Sequence, residues 1–397
     1  MELLFERSAQ KIRQVPTAFI RSMIDTINWD ARLTGIRGAR GVGKTTLLLQ
    51  YMKTILPRDH RSIYLTLDNI RFSEYRLYDF TDLFVKKGGR YLFLDEVHKY
   101  PDWSREIKNI YDDFPDLKIV FTGSSLLEIL NARADLSRRA IVYEMQGFSF
   151  REYLNKLHGL NLPIMSLDDI ISNHISLSES ILSQVKVLEY FSDYLEFGYY
   201  PFYDELPGLY HQRIEEVINM ILEVELPLLR GFEPAFVPKM KMLLQIIAES
   251  VPFVPNITKL SKRIGITRNT LLSYLYALEE SHLTVHLHKP TSGFSKLQKP
   301  EKIYLENTNI MHALVPELIN KGTIRETFFA NQLKALHETE YTDRGDFLVN
   351  KQIIFEIGGR QKGYKQIQDV PDSYIVADDL EYGYGNKIPL WLFGFLY

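Results

Sequence analysis

The segment from Gly38 to Thr46 has the residue types and spacing of a phosphate-binding loop. It reads GARGVGKTT and matches the pattern G-x-x-x-x-G-K-[ST]. Glycines let a backbone wrap around phosphate oxygens, and the helix expected to follow adds the positive end of its dipole. Lys44 is expected to contact the β- and γ-phosphates, and the Thr45 hydroxyl to ligate magnesium. The expected nucleotide-binding residues are Gly38, Ala39, Arg40, Gly41, Val42, Gly43, Lys44, Thr45 and Thr46.

A pair of acids, Asp95 and Glu96, directly follows the apolar run 91–94. Such a run is typical of a strand buried in a parallel sheet, and ligands bind at the carboxyl ends of such strands. Asp95 is expected to hold magnesium through water, and Glu96 to polarise an attacking water as general base. The second acid disfavours a kinase, which shares the loop but must keep water out. The two motifs together predict binding and hydrolysis of ATP with Mg²⁺.

Two further positions are catalytic candidates beside Lys44 and Glu96. The apolar strand 118–122 leads to small polar groups, of which Ser124 is the first candidate for contact with the γ-phosphate or the water, and Thr122 the second. A helix-capping serine is the open alternative. Arg139 precedes another predicted strand and would reach the γ-phosphate of a neighbouring subunit, which predicts a homo-oligomer. A solvated basic pair with Arg138 is the alternative.

The order of elements predicts several domains in this chain of 397 residues. Short apolar runs alternate with helical stretches over residues 1–150, which predicts an α/β core with a parallel sheet. Its first element is predicted as an amphipathic helix over 6–28. Residues 151–235 are predicted to be helical, 236–304 to form a helix-turn-helix with a short β segment, and 305–397 to mix helix with short strands.

The motifs together resemble a known family, the AAA-type ATPases of archaea and bacteria that carry a winged helix and a C-terminal domain related to restriction endonucleases. The resemblance is carried by GARGVGKTTL, YLFLDEVHKYPDW, IVFTGSS, LSRRA and GFSFREYL, in this order within the first 154 residues. Downstream, LEFGYYP and KIYLENTNIMHAL fit more loosely. The resemblance implies an α/β P-loop NTPase core at 1–150, a helical lid at 151–235, a winged helix at 236–304 and a degenerate nuclease-like α/β domain at 305–397.

The resemblance also assigns roles to single positions. Lys44 and Thr45 fall in the phosphate loop, and Asp95 and Glu96 at the positions for magnesium and water. Ser124 falls at the polar sensor position. Arg139 falls at the arginine position that follows it.

The predicted helix-turn-helix runs from Ile257 to Glu280, with its turn at Gly265 and Thr267 capping the second helix. Residues expected to face inward are Leu271, Leu275 and Leu278, and those expected to face a groove are Arg268, Asn269 and Ser273. Lysines expected to meet phosphates on the wing are Lys289, Lys296, Lys299 and Lys302. DNA contact and a plain packing role both remain open.

Three acids of the last segment, Glu326, Asp346 and Glu356, resemble the metal ligands of a nuclease. The lysine expected two residues beyond Glu356 is replaced by Gly358, which favours a degenerate domain. Arg360 and Lys362 lie further along and would compensate only if the backbone allowed it. His286 and His288 share a face of a predicted strand. No acid or cysteine lies beside them in sequence, so a metal site is not expected there.

Composition sets the remaining limits. The net charge of −3 does not suggest wholesale binding to nucleic acid or membranes, so a DNA contact needs a local patch. The absence of cysteine excludes disulfides and thiol catalysis. No signal peptide or membrane span is expected, and the cytoplasm is the expected location. The favoured function is ATP hydrolysis that drives a conformational change; a slow nucleotide-dependent switch and an ATP-assisted DNA nuclease are the alternatives.

Overall fold

The computed structural model describes residues 2–57, 59–73, 75–123, 136, 138–205, 207–230, 233, 235–290 and 299–397. The chain forms two compact units, Met1–Gly147 and Phe148–Tyr397. The division into four domains stays a prediction.

The N-terminal unit is built on a parallel sheet of five strands in the order β2-β3-β4-β1-β5. The strands are β1 (Leu33–Arg37), β2 (Ser62–Thr66), β3 (Tyr91–Asp95), β4 (Lys118–Gly123) and β5 (Ile141–Glu144). Every neighbouring pair is parallel, so the carboxyl ends of all the strands lie along one edge. This arrangement confirms the predicted α/β core of the P-loop NTPase type.

The helices of this unit are α1 (Glu2–Gln14), α2 (Met23–Thr26), α3 (Lys44–Thr54), α4 (Leu77–Lys86) and α5 (Trp103–Asp113). The core packs apolar side chains of the strands against α4 and α5; Leu92, Ile107 and Ile119 are fully buried in it. The predicted single helix over 6–28 is wrong. The helix ends at Gln14, two residues before Pro16, because proline restricts the residue before it and has no N–H to donate.

The C-terminal unit begins with helices and contains the predicted helix-turn-helix. Its helices are α6 (Phe150–His158), α7 (Leu167–Leu182), α8 (Val187–Asp193), α9 (Tyr210–Met220), α10 (Leu226–Arg230), α11 (Phe236–Ala248), α12 (Ile257–Ile264), α13 (Arg268–Glu280), α14 (Thr308–Leu314) and α15 (Lys321–Lys334). Gly265 ends α12 in the left-handed conformation, and the Thr267 hydroxyl accepts a hydrogen bond from the Thr270 amide. The predicted turn and helix cap are therefore confirmed.

Two sheets complete the C-terminal unit. An antiparallel pair joins β6 (Thr284–Leu287) to β7 (Lys302–Leu305). A mixed sheet has the order β12-β11-β10-β9-β8. Its strands are β8 (Thr339–Glu340), β9 (Phe347–Val349), β10 (Ile353–Gly358), β11 (Ser373–Ala377) and β12 (Lys387–Pro389). The winged-helix and nuclease-like assignments of these parts stay predictions.

Candidate functional site

The predicted phosphate loop lies between the end of β1 and the start of α3, and two of its glycines are required by its shape. Gly38 has a φ of +156°, and a Cβ there would lie 2.1 Å from the carbonyl oxygen of Met145. Gly43 caps α3 with a φ of 99° in the left-handed region. A larger residue at position 38 would push the loop away from the strand beside it.

Lys44 and Thr45 open helix α3. Lys44 is buried, and its Nζ donates to the carbonyls of Gly38 and Ala39 at 2.8 and 2.7 Å. The ammonium group therefore lies inside the curl of its own loop. The Thr45 hydroxyl donates to Oδ2 of Asp95 at 2.8 Å, which joins the loop to the end of β3. The loop and the first of the paired acids thus form one site.

Asp95 accepts hydrogen bonds from hydroxyl groups on three different elements. Besides Thr45, the Tyr64 hydroxyl donates to Oδ2 at 2.6 Å, and the Thr122 hydroxyl donates to Oδ1. Asp95 is 4% exposed, so its charge depends on these donors rather than on water. Tyr64 was not predicted, because a tyrosine in the apolar run 63–67 gives no sign that its hydroxyl meets a carboxylate. Carboxylate and hydroxyl oxygens are the ligands that Mg²⁺ takes, so this donor set fits the ion.

Glu96 lies one residue beyond β3, with a φ of 54° that turns the chain sharply. Its amide donates to the Thr122 hydroxyl at 3.1 Å. Burial raises the pKa of Glu96, the charge of Asp95 raises it further, and Arg40 and Lys44 oppose the rise. A carboxylate with a raised pKa that faces the phosphate loop is a stronger base than a solvated one.

Arg21 binds the phosphate loop at Val42. It was not predicted from the sequence. Its guanidinium is buried and donates to Val42 O at 3.2 Å, to Gln146 O at 2.6 Å and to Gly147 O at 2.8 Å. It therefore ties the loop to the last two residues of the N-terminal unit. The arginine lies in the segment that the sequence predicted as helix, and the pattern of apolar residues there gave no signal for it.

Ser124 and Arg139 are the two remaining catalytic candidates. Ser124 lies outside the described residues. The hydroxyl of Thr122, the second candidate, donates a hydrogen bond to Asp95 and accepts one from the Glu96 amide. Arg139 precedes β5, whose first residue Ile141 pairs with Thr34 near the start of β1. It therefore lies at the amino edge of the sheet, away from the phosphate loop of its own chain. There its Nε and Nη2 donate to the two carboxylate oxygens of Asp112 at 2.9 and 3.0 Å.

Residues 30–154 match the family model of the AAA domain. This segment of the chain is therefore similar to AAA domains. Residues 188–320 match a second model, a domain of unknown function (DUF8612).

The chain is similar to one uncharacterized protein and, more distantly, to solved structures. The uncharacterized protein MJ1637 of Methanocaldococcus jannaschii is 25% identical over 363 residues, which cover 83% of this chain and 76% of that protein. The Walker-type ATPase PABY2304 of Pyrococcus abyssi is similar at 15% identity and a TM-score of 0.38, covering 79% of this chain and 96% of that one. AMPPCP-bound DnaA from Aquifex aeolicus is similar at 15% identity and a TM-score of 0.28, covering 65% and 85%.

A cavity of about 700 Å³ also lies in the N-terminal unit, between α1 and the segment around α3 and β2. Its lining includes Phe5, Ile12, Met52 and His60 but none of the candidate site residues of the AAA domain. The phosphate loop is the candidate site because of the chemistry of its residues, and it does not coincide with this cavity. Over the described part of the chain, no helix has both the length and the apolar character needed to cross a bilayer.

The helix-turn-helix presents most of the two faces that were predicted for it. Leu271, Leu275 and Leu278 are buried, Arg268 and Asn269 are exposed, and Ser273 is half-buried. The lysines of the predicted wing differ among themselves. Lys289 and Lys299 are exposed, Lys296 lies outside the described residues, and Lys302 points its Nζ at Asp346, 3.4 Å away. A DNA contact through this surface stays a prediction.

Glu326 of α15, Asp346 just before β9 and Glu356 of β10 lie close enough for their charges to act on one another. The Tyr304 hydroxyl donates to Glu326 at 2.7 Å, and the Ile357 amide donates to Asp346 at 2.9 Å. Burial, followed by the charge of Asp346, raises the pKa of both Glu326 and Glu356. Glu356 is 1% exposed, and its Oε2 accepts no hydrogen bond from any residue that the structure describes. A group of acids that includes a buried, unpaired carboxylate oxygen fits a divalent cation.

Lys362, four residues beyond Gly358, contacts the last of the three acids. Its Nζ contacts Glu356 Oε1, and its amide donates to Gly359 O at 2.9 Å in a tight turn. A Cβ on Gly358 would lie 2.6 Å from the Cβ and Cγ of Lys362. The Lys362 side chain thus fills the space beside the strand that the side chain of residue 358 would take, and Gly358 makes that approach possible.

Proposed function

We propose that the AAA domain binds ATP with Mg²⁺ and hydrolyses it. The observation that carries this proposal is the 2.8 Å hydrogen bond between Thr45 and Asp95, residues that lie 50 positions apart. It brings the hydroxyl of the phosphate loop and the carboxylate at the end of β3 to one point. A divalent ion bound between a triphosphate and an acid pair needs both groups there.

Each residue around this point would have a separate role in binding or hydrolysis. Lys44 and the loop amides would neutralise the phosphates, and Thr45 and Asp95 would hold the ion. Magnesium, when bound, supplies charge neutralisation on the phosphate oxygens. Glu96 would accept a proton from the attacking water, and Thr122 would orient the two acids, with Ser124 as a further contact to the γ-phosphate.

The consequence of hydrolysis would be a conformational change that passes through Arg21. This side chain joins Val42 of the loop to Gln146 and Gly147, where the chain leaves the N-terminal unit. A loop that closes on phosphate would move the Val42 carbonyl, and Arg21 would transmit the movement to the exit segment. A slow nucleotide switch would transmit its change through the same Arg21 contacts, and it would differ from an active ATPase only in the rate of ATP hydrolysis.

The test is a magnesium-dependent ATPase assay over a range of protein concentrations, with and without duplex and single-stranded DNA. Lys44→Ala is expected to abolish turnover and nucleotide binding. The matched control is Lys53→Ala on the same helix, whose Nζ contacts the carbonyls of Arg13 and Val15 instead. Tight retention of ADP with little turnover indicates the switch. No affinity of the wild-type chain for any magnesium nucleotide contradicts the proposal.

A second candidate function is metal-dependent cleavage of DNA by the C-terminal sheet. The Lys362–Glu356 contact favours it, since it restores the cation that the sequence pattern lacks. Glu326, Asp346 and Glu356 would hold the metal, and Lys362 would assist the attacking water. This candidate replaces the expectation of a degenerate domain with a working cluster.

Nicking of supercoiled plasmid in Mg²⁺ or Mn²⁺ tests the second candidate. Asp346→Ala and Lys362→Met are each expected to abolish nicking, and the exposed Lys365→Met serves as the control. Both variants should keep the ATPase activity of the AAA domain. Equal nicking by wild type and Asp346→Ala would assign the activity to a contaminant and sink this candidate.

A further inference from the structure

Two histidines and a glutamate that lie apart in sequence meet beside the helix-turn-helix. Glu279 is in the last turn of α13, His286 is in β6, and His288 follows β6. One ligand atom from each lies within 4.8 Å of the other two, and the described residues hold one group of this kind. The acid that the sequence analysis did not find near the histidines is therefore Glu279, which the fold brings back to the strand.

The surroundings orient these side chains. His286 Nδ1 lies 3.3 Å from Glu279 Oε2, and the other ring nitrogen, Nε2, lies 3.0 Å from the Thr284 hydroxyl. Metal-bound histidines characteristically have their second nitrogen held by such a polar group. The His288 backbone carbonyl accepts a hydrogen bond from the Tyr341 amide at 2.8 Å, which holds the backbone of His288 in place.

His288 supplies the observation that points to a ligand. Its Nδ1 is buried and has no hydrogen-bond partner among the described residues. A buried ring nitrogen without a partner costs free energy, and a metal ion would accept its lone pair. A simple Glu279–His286 ion pair explains the first two residues but leaves this nitrogen unexplained.

We propose that Glu279, His286 and His288 form a binding site for a transition-metal ion, with zinc as the expected occupant. Two imidazoles and one carboxylate are a ligand set that zinc takes, and imidazole suits Zn²⁺, Co²⁺ and Ni²⁺ better than Mg²⁺ or Ca²⁺. Ligand bonds of about 2.1 Å place tetrahedral ligand atoms roughly 3.4 Å apart, so small side-chain rotations close the observed triangle.

The ion would lock the end of α13 to the strand that follows it. Glu279 is eleven residues beyond Arg268 on the same helix, the one predicted to face DNA. Bound metal therefore stiffens the helix that carries this surface, independently of nucleotide at the AAA domain. The site does not depend on the proposed ATPase activity.

The test uses tag-free full-length protein, Co²⁺ as the spectroscopic probe and Zn²⁺ as the competitor. Wild type is expected to give the visible absorption of tetrahedral Co²⁺ at one ion per chain, and Zn²⁺ should remove it. His288→Gln and Glu279→Gln are each expected to weaken Co²⁺ binding by more than about 100-fold, beyond the loss typical of changes to outer-shell partners.

His312→Gln is the matched control, because His312 belongs to the other histidine pair of the same unit, stacked on His211 at 6.1 Å. It should bind Co²⁺ as wild type does. Thermal unfolding provides the second readout: Zn²⁺ should raise the midpoint of wild type and of His312→Gln but not that of His288→Gln. Circular dichroism checks that each variant folds. Wild type without a tetrahedral Co²⁺ spectrum, or with a zinc affinity equal to that of folded His288→Gln, overturns the proposal.

Discussion

The Tyr64 hydroxyl donates a 2.6 Å hydrogen bond to Oδ2 of Asp95 across neighbouring parallel strands. Tyr64 is paired with Phe93, two residues before Asp95, so both side chains project from the same face of the sheet. Tyr64 is 3% exposed. The acid expected to hold magnesium is thus fixed from the β2 side by a residue with no recognisable motif.

Replacing Tyr64 with Phe is expected to lower the free energy of unfolding by about 1.5–3 kcal/mol, the range for hydrogen bonds to charged groups. The buried carboxylate then keeps Thr45 and Thr122 as its donors, and the magnesium concentration for half-maximal turnover should rise. Urea unfolding and a magnesium titration measure the two effects. Tyr75→Phe is the control, since that ring is 65% exposed. Unchanged stability in Tyr64→Phe would mean that the hydroxyl contributes nothing to Asp95.

Glu96→Gln is expected to bind ATP but to hydrolyse it about 10²–10⁴-fold more slowly, because the amide cannot accept the proton of water. The base is active when ionised, and burial raises its pKa above the ordinary 4.5. Turnover of wild type should therefore fall as the pH drops through that raised value, earlier than for a solvated glutamate. The pH–rate profile measures this, with the exposed Glu216→Gln as control. Undiminished turnover in Glu96→Gln removes it from the mechanism.

Arg21→Lys is expected to weaken nucleotide binding although residue 21 is not part of the loop. The planar guanidinium spans three carbonyls, whereas an ammonium on a flexible stem cannot reach all of them. The loss should also cost about 1.5–3 kcal/mol of unfolding free energy. Fluorescent-nucleotide titration and denaturant unfolding measure the two effects, and the exposed Arg13→Lys is the control. Wild-type affinity in a destabilised variant would leave Arg21 a purely structural role.

Arg139→Ala is expected to lower turnover by roughly 10³–10⁵-fold if a neighbouring subunit supplies the arginine. Because Arg139 lies at the amino edge of its own sheet, it would act on the nucleotide of another chain. Mixing Arg139→Ala with Lys44→Ala should then restore part of the activity that neither variant has alone. Arg138→Ala is the control. Wild-type turnover in Arg139→Ala at every protein concentration would leave Arg139 a structural role, to which its ion pair with Asp112 belongs.

The chemistry of the phosphate loop and of the paired acids could be predicted because each depends on residues that are adjacent in sequence. Glycine spacing, the lysine at the start of the helix and a strand that ends in acids are local features. The helix-turn-helix could be predicted for the same reason, since Gly265 and Thr267 act within one turn of their own helices. The prediction of one helix over 6–28 is wrong because Pro16 interrupts the backbone hydrogen bonding that the apolar periodicity favours.

Contacts between distant segments were decided by the tertiary structure alone. The sequence supplied Tyr64, Arg21, Glu279 and Lys362, but the partner of each depends on strand order, on register or on a turn that brings two segments together. A hydroxyl in an apolar run, an arginine in a linker and a glutamate at a helix end have no characteristic spacing from Asp95, Val42 or His286. Local sequence therefore determined which groups are candidates for the chemistry, while the packing of the sheets determined which groups hold them in place.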